Sequence, residues 1–273
     1  MSNEERERSW EDGEPIGYFD FFRGSVHWRY NTSDSARELN GEMYAPLSIR
    51  RETIQQGTER NKLLLTVVLP RDADVAGNWH PYPTSAMVNL TIYEAHLDET
   101  GADVVWDGRV SGPKFTATLL TLACEPTTTF SRRSGQLQSW QRPCMHVLYK
   151  QGHGLCNADP DEFKQDCTIE SVTGSAIVSP DFESFPTGRL AGGYIEWATD
   201  DGNIERRSVS SHVGDTIVAL FPPRGMTAGT VVTAYPGCKH NWQDCDEYFD
   251  NGVNYGGDLY APERSPWNGN PVY

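Results

Sequence analysis

The sequence predicts a mainly β protein. Val, Thr, Tyr and Trp recur in short runs, and the 273 residues include 25 Gly and 17 Pro. This composition favours short strands joined by tight turns over helices. The hydrophobic and charged fractions, 37% and 22%, suit a soluble folded chain with much loop. We predict an N-terminal β-barrel or β-sandwich, a Cys-rich segment, a second small β-domain and an irregular, aromatic C-terminal arm.

The N-terminal β-rich domain is predicted over residues 1–130. A charged lead-in, helical or frayed, occupies residues 1–12, and strands begin at Ile16. An Arg-Gly-Ser turn joins IGYFDFF to VHWRY, and Asn-Gly marks a second hairpin in LNGEMYAPL. The strand KLLLTVVLP ends at Pro70, and residues 71–80 predict a short helix or turn. AMVNLTIYEAHL, VVWDGRVSG and KFTATLLTLACEP follow as strands, with Gly-Pro marking a turn between the last two.

The second small β-domain is predicted over residues 168–235, with TGS and TDDGN as turns. It is inserted between two segments with little periodicity, 131–167 and 236–273. The first segment predicts mixed loop and short helices. The second is rich in Gly, Asn, Pro and aromatic residues. Together they are the predicted Cys-rich region and C-terminal arm.

The charge pattern excludes one class of function. The net charge is −15, from 23 basic and 38 acidic residues, and no basic stripe appears. We therefore expect no direct, sequence-specific binding of nucleic acid. The N-terminus has no apolar secretory core, and no run approaches the length of a membrane span. We expect synthesis in a cytoplasm, where structural disulfides are disfavoured.

Two cysteine pairs are the most informative feature of the chain: Cys144 with Cys156, and Cys238 with Cys245. Four sulfurs from two distant segments are what a Cys₄ metal or iron–sulfur site requires. They are also what two disulfides require. The spacings fit neither a zinc ribbon nor a bacterial ferredoxin. Spacing alone therefore does not decide between a metal site, two disulfides and inert reduced thiols.

Local geometry constrains the second pair. In one continuous helix Cys238 and Cys245 would stand about 10 Å apart along the axis, too far for one disulfide or one metal. The chain must therefore turn between them, and the Pro-Gly before Cys238 permits that turn. Asn241 can cap a helix that begins directly after it, with Asp244 in the first turn. Cys238 would then lie on the loop and Cys245 in the first turns of the helix.

The two Cys segments carry a family resemblance. The run GCKHNWQDCDEYFDNGVNYGG and the upstream PCMHVLYKQGHGLC resemble elements of the tail-tip hub proteins of long-tailed phages and gene-transfer agents. The N-terminal order of WRY, LTVVLPRD, VNLTIYEAH, VVWDGRV and CEP is also similar, so the likeness covers nearly the whole chain. The family is similar to the lambda-type minor tail protein that carries an iron–sulfur cluster.

The resemblance implies a trimeric, β-rich hub at the tail tip of a virion, assembled in the host cytoplasm. Its partners would be a distal tail protein and a central fibre or tip attachment protein. It also implies a [4Fe–4S] cluster bound by Cys144, Cys156, Cys238 and Cys245. The residues alone do not separate such a cluster from zinc, which stays the alternative metal. The cluster would act as a staple, because binding energy at a structural site is folding energy.

We expect no catalytic residue. Cys144 and His146 lie two apart on a predicted strand, but no orienting third group or oxyanion hole accompanies them. His146 and His240 are either donors to the sulfurs or partly exposed surface residues. Cys124 predicts a buried structural thiol, and Cys167 opens the second β-domain; neither matches a ligand position. The alternative functions are a tail-associated cell-wall hydrolase and a binding module stapled by zinc or disulfides.

Overall fold

The protein is mainly β, as predicted. The computed structural model describes residues 15–54, 64–96, 101–128 and 140–261. The chain divides into two compact units, residues 1–133 and 134–273. The predicted lead-in over residues 1–12 lies outside the described residues. In the described part, no helix is long and apolar enough to cross a membrane.

The first unit is built on one sheet. Its described strands are β1 Ile16–Arg23, β2 Val26–Asn31, β3 Arg37–Leu39, β4 Glu42–Pro46, β5 Arg50–Arg51, β6 Leu65–Pro70, β7 Asn89–Ala95, β8 Asp103–Phe115 and β9 Leu119–Pro126. They are ordered β3-β4-β2-β1-β7-β8-β9-β6-β5 across the sheet. The pairings are antiparallel except between β2 and β4. Alternating burial along β6 turns one face toward a core.

Two hairpin turns form where the sequence predicts them. Gly24 has a φ of 60° in the turn between β1 and β2. Asn40 and Gly41 have φ values of 53° and 81° between β3 and β4. Asn and Gly are the residues that enter the left-handed region at least cost, which is why this dipeptide marks tight hairpins. The predicted short helix is also confirmed, as a 3₁₀ helix over Asp74–Asn78.

The predicted turn at Gly112-Pro113 is wrong. Strand β8 continues through this dipeptide to Phe115, and the reversal follows at residues 116–118. The register of β8 against β9 shifts between Val110 and Gly112, which is a β-bulge. A bulge interrupts the regular ladder, so a proline without an N–H is tolerated beside it.

The core of the first unit contains the side chains that alternate inward from its central strands. Phe19 and Phe21 of β1 and Leu120 and Leu122 of β9 are 0–1% exposed. Cys124 lies on the same face of β9 and is fully buried. The prediction of a buried structural thiol at this position is therefore confirmed.

The second unit contains a second sheet. Its described strands are β10 Gln165–Thr168, β11 Ser171–Thr173, β12 Ala176–Val178, β13 Tyr194–Ala198, β14 Ile204–Val213, β15 Thr216–Ala219 and β16 Val231–Tyr235. The order across the sheet is β10-β16-β13-β14-β15-β12-β11. The first and last strands of this order are consecutive in the chain. Ile169 N donates to Thr230 O and Glu170 N to Val178 O, so the sheet curls and nearly returns on itself.

The loop segments 140–164 and 236–261 pack together at one end of β13 and β16. Tyr149 is the centre of this packing. Its ring contacts the rings of Tyr194, Tyr235 and Phe249 edge-on, with centroids 6.1–6.2 Å apart. Its hydroxyl donates to Pro236 O at 2.8 Å. The aromatic cluster thus fixes both cysteine-bearing segments to the sheet.

Candidate metal centre

The first cysteine pair lies in irregular backbone. Cys144 is in a loop, not on the strand predicted around it, and Cys156 follows the tight turn 152–155. Gly152 and Gly154 have φ values of 133° and 68°. Residues with a side chain rarely adopt such positive φ values, whereas glycine does so readily. The turn closes with Gly152 N donating to Asn157 Oδ1 at 2.7 Å. It brings Cys156 back beneath the loop, with 9% of its surface exposed.

The second pair is arranged as the sequence predicts. Asn241 Oδ1 accepts from Asp244 N at 2.8 Å, which caps the short helical segment that follows. Its π-helical turn, Asp244–Tyr248, contains Cys245. We call it the Cys245 helix. Cys238 lies on the preceding loop.

An ion pair holds the Cys245 helix to the loop before β13. Arg189 Nη1 donates to Asp244 Oδ1 at 2.8 Å, and the two side chains are only 12% and 5% exposed. The guanidinium also lies 3.7 Å from the centre of the Tyr248 ring. The other carboxylate oxygen accepts from Lys239 N at 2.9 Å. Asp244 therefore fixes both the helix and the Cys238 loop.

A reciprocal contact joins the two cysteine segments. Cys144 N donates to His240 O at 2.7 Å, and His240 Nδ1 lies 3.1 Å from Cys144 O. These residues are 96 apart in sequence. A further contact runs from Asp258 N to Gln141 O at 2.8 Å. The fold thus places Cys144 beside the loop that carries Cys238.

All four predicted ligands line one small cavity. The cavity is also lined by His146, Leu148, His240, Phe249, Asn251 and Asn254. Cys156 and Cys245 are buried, whereas Cys144 and Cys238 are half-buried. The centre therefore has two inner and two outer thiols.

Three of the sulfurs receive hydrogen bonds. His240 N donates to Cys238 Sγ and Gly256 N to Cys144 Sγ, each at 3.3 Å. Asn251 Nδ2 lies 3.8 Å from Cys156 Sγ. N–H donors directed at sulfur stabilise thiolate ligands and tune the potential of iron–sulfur centres. These three sulfurs thus have N–H donors that would stabilise them as thiolates.

Burial keeps two of these thiols protonated. Burial raises the pKa of Cys238 to about 11, and the hydrogen bond from His240 N–H lowers it by a smaller amount. Burial also raises the pKa of Cys245 to about 12, and the neighbouring cysteines add to the rise. At neutral pH both groups are neutral thiols, so a bound cation must displace their protons.

The four candidate ligands are all thiols. All six cysteines are free thiols, so the described residues contain no disulfide. Within those same residues, no three His, Cys, Asp or Glu side chains are grouped closely enough to hold a single metal ion. Four thiols nevertheless surround one cavity that contains no carboxylate. Soft sulfur donors of this kind select iron–sulfur clusters, zinc or copper(I) over hard cations.

Close backbone packing closes the centre on the C-terminal side. A side chain at Gly256 would place its Cβ 2.5 Å from His146 Nε2, and one at Gly257 would collide with Arg142 O. Tyr255 Oη donates to Arg142 O at 2.6 Å. The Tyr-Gly-Gly run thus lets residues 254–258 approach the Cys144 loop.

The histidine rings bind backbone carbonyls. His146 Nδ1 lies 3.0 Å from Asn254 O, and His240 Nδ1 bonds Cys144 O. The donor to sulfur at His240 is its main-chain N–H. His240 therefore does donate to a sulfur, but through its main-chain N–H and not through its ring. Within the described part of the chain, the His146 ring bonds the Asn254 carbonyl and no sulfur. Cys167 is buried in β10, in the core of the curled sheet.

Sequence reasoning missed Asn251 and Arg189. Asn251 is buried and contacts both Cys156 and Cys245. Its run, DNGVN, belongs to the segment that carries the family resemblance, but neither the resemblance nor the Asn-Gly turn predicts its contacts with the cysteines. Arg189 lies 55 residues from its partner Asp244, so no local pattern could have identified the pair.

Known proteins resemble the chain in part and in whole. Residues 188–264, which include Cys238 and Cys245, match the family described as "Phage conserved hypothetical protein BR0599". An "Uncharacterized protein" of Xylella fastidiosa (strain 9a5c) is 25% identical over 205 residues. That match covers 68% of this chain and 42% of the relative, so the chain spans less than half of that protein.

A solved structure shares the fold. A chain from the "Virion of native gene transfer agent (GTA) particle" superposes with a TM-score of 0.76 and 14% identity. The superposition covers 100% of both chains. At this identity the likeness shows a common fold. The two-unit β architecture described above is thus also the architecture of a virion component.

Proposed function

We propose that the chain is a structural subunit of a phage-type virion or gene-transfer agent. Its place would be the tail tip, as a hub between the distal tail ring and the central fibre. The fold shared with a chain of a gene transfer agent virion supports this proposal, as does the phage family that matches residues 188–264. By this proposal the subunit is a homotrimer and carries no catalytic site.

The centre of this proposal is a [4Fe–4S] cluster held by Cys144, Cys156, Cys238 and Cys245. The observation that carries it is the single cavity lined by all four cysteines, although 81 residues lie between Cys156 and Cys238. A zinc ion would draw its four thiolates to within about 4 Å of one another. In a four-iron cluster each thiolate binds its own iron, so wider spacing is required. The iron, sulfide and zinc contents of the purified chain decide between the two.

The cluster would stabilise the second unit. Its ligands flank the curled sheet in sequence, two before β10 and two after β16. A bound cluster supplies strong thiolate bonds when loaded, and those bonds exist only in the folded chain. We therefore assign it the role of a staple between the two cysteine segments.

Metal analysis tests the cluster. The full chain is purified anaerobically as wild type, Cys238→Ser and Cys124→Ala, and iron, acid-labile sulfide, zinc and the absorption spectrum are measured. We expect a brown wild type with about four irons per chain, unchanged in Cys124→Ala and lost in Cys238→Ser. A wild type that holds only zinc, or no metal after reconstitution with iron and sulfide, would refute the cluster.

Particle assembly tests the virion role. In a host that produces the particles, deletion of the gene should give particles without a complete tail tip. Complementation with wild type should restore them, and antibodies should label the tip. Normal particles that lack the protein would reject the hub role. Peptidoglycan cleavage by the purified chain, abolished by Cys144→Ala without loss of folding, would favour the hydrolase instead.

A further inference from the structure

Asn251 contacts two of the four proposed ligands at once. Its Nδ2 donates to Cys156 O at 2.5 Å and lies 3.8 Å from Cys156 Sγ. Its main-chain N–H donates to Cys245 O at 2.9 Å. The protonated thiol of Cys245 donates to the Asn251 carbonyl at 3.3 Å, a bond that a metal-bound thiolate would give up. Cys156 and Cys245 are the inner pair, and they lie 95 and 6 residues from Asn251.

Burial and further hydrogen bonds fix the Asn251 side chain in this position. Asn251 is 6% exposed and follows Asp250, whose φ of 44° reverses the chain after the Cys245 helix. Its Oδ1 accepts from Asn254 Nδ2 at 2.6 Å, which fixes the orientation of the amide. Asn157 Nδ2 approaches Asn254 Oδ1 at 3.4 Å, so a chain of amides returns to the residue after Cys156. A buried amide with every group partnered is costly to replace.

We propose that Asn251 is the positioning residue of the metal centre. It holds the Cys156 turn against the Cys245 helix and directs an N–H at the Cys156 sulfur. This inference rests on the proposed cluster. It adds that the inner half of the centre is organised by one amide that is not itself a ligand.

The chemistry of the side chain makes the proposal specific. Only an amide of this length can donate to Cys156 and accept from Asn254 at the same time. An Asp has the same shape but places an acceptor oxygen, and a negative charge, against Cys156 O and its sulfur. Removal of an N–H donor from a ligand sulfur also makes an iron–sulfur centre harder to reduce.

The test compares Asn251→Asp and Asn251→Ala with wild type and Gln243→Glu in the full, anaerobically reconstituted chain. Gln243 is exposed on the helical segment, two residues before Cys245, and its bonded partner is Glu247. Gln243→Glu therefore repeats the amide-to-carboxylate change near the centre without touching a sulfur. Circular dichroism checks folding, EDTA-driven bleaching gives the rate of iron loss, and electrochemical titration gives the midpoint potential.

We expect iron loss from both Asn251 variants to be about 10–100-fold faster than from wild type. We also expect both Asn251 variants to have a more negative midpoint potential than wild type. Iron loss from Gln243→Glu should stay within about twofold of the wild-type rate. Should Asn251→Asp fail to fold, Asn251→Ala gives both readouts. Folded variants with wild-type bleaching rate and potential would overturn the proposal. So would a lower melting temperature with an unchanged potential, since that result describes packing alone. A wild type that takes up no cluster would instead refute the centre itself.

Discussion

The residues around the centre divide into those that supply sulfur and those that hold the sulfur in place. Cys144 and Cys238 are half-buried, and each receives a main-chain N–H. Cys156 and Cys245 are buried and both contact Asn251. Backbone donors require only that the loops have the correct shape. The glycines that permit that shape are therefore as necessary to the cavity as the cysteines.

Substitution at Gly256 should damage the centre. In Gly256→Ala the new methyl group would lie 2.5 Å from the His146 ring, and the segment that donates to Cys144 Sγ would have to move. We expect a destabilisation of about 1–3 kcal/mol and faster loss of iron. Gly112→Ala is the control, because a Cβ there meets nothing within 4 Å. Urea unfolding and iron content check both variants, and equal behaviour would show that the close approach is unimportant.

Cys124 should make the first unit less stable in alkali. Burial raises the pKa of this thiol to about 12 from an ordinary value of 9.0. Its stabilising contribution is therefore complete below pH 9 and is lost as the pH rises from 9 toward 12. In that window the free energy of unfolding should fall by up to about 1.4 kcal/mol per pH unit from this group.

The comparison is between wild type and Cys124→Ala. The variant should be less stable near pH 7, because it leaves a cavity. Its stability should nevertheless depend less steeply on pH above 9. Burial also raises the pKa of Tyr30 and Tyr44, but those groups titrate in both proteins. Hydrogen exchange of residues 15–128 in urea gives the two slopes, and identical slopes would contradict the assignment.

At the scale of elements, the Cys245 helix depends on tertiary contacts. Its π-helical turn is only five residues long, too short to be stable by propensity alone. The Asn241 cap supplies a hydrogen bond for one orphan N–H, and the pair of Arg189 with Asp244 anchors the first turn. The aromatic contacts of Tyr149 with Phe249 hold its far end. The element that carries Cys245 is thus positioned from three sides.

Loss of Arg189 should loosen this element. In Arg189→Met the buried Asp244 carboxylate keeps its main-chain donor, Lys239 N, but loses its countercharge. Removal of one partner of a buried pair costs about 3–5 kcal/mol. Arg206→Met is the control, since Arg206 is 57% exposed where it pairs with Glu196, and such a loss costs under about 1 kcal/mol. Thermal unfolding distinguishes the two, and equal losses would show that the Arg189 pair adds no anchoring.

At the scale of the whole molecule, the two units differ in what stabilises them. The first unit has a hydrophobic core that comes largely from its strands. The second has its own sheet core and, beside it, the segments that carry the four cysteines. A cluster bound only by the second unit should therefore stabilise that unit alone.

Hydrogen exchange of the full chain checks this division. If the proposed cluster is bound, its removal should increase exchange in residues 140–158 and 236–261, with a smaller effect in the curled sheet. Exchange in β1, β7 and β9 should stay within about twofold of the loaded protein, because those amides lie in the other compact unit. Equal loss of protection in both units would contradict a local staple. Unchanged protection everywhere would contradict a structural role.

The sequence by itself determined the features that rest on local chemistry. Alternating residues and turn dipeptides placed most strands, and the Asn-Gly hairpin and the Asn241 cap followed from side chains acting on neighbouring backbone. The four cysteines were identified from their pairing and a family resemblance. Gly112-Pro113 wrongly predicted a turn, because a β-bulge tolerates a proline that a regular strand ladder would exclude.

Only the tertiary structure decided which groups meet across the chain. The Arg189–Asp244 pair, the Tyr149 contacts and the Asn251 amide join residues tens of positions apart. Such contacts depend on how the sheet brings its connecting loops together, and no local periodicity encodes that. For the same reason, sequence could pair the cysteines by segment, but the fold alone placed all four around one cavity.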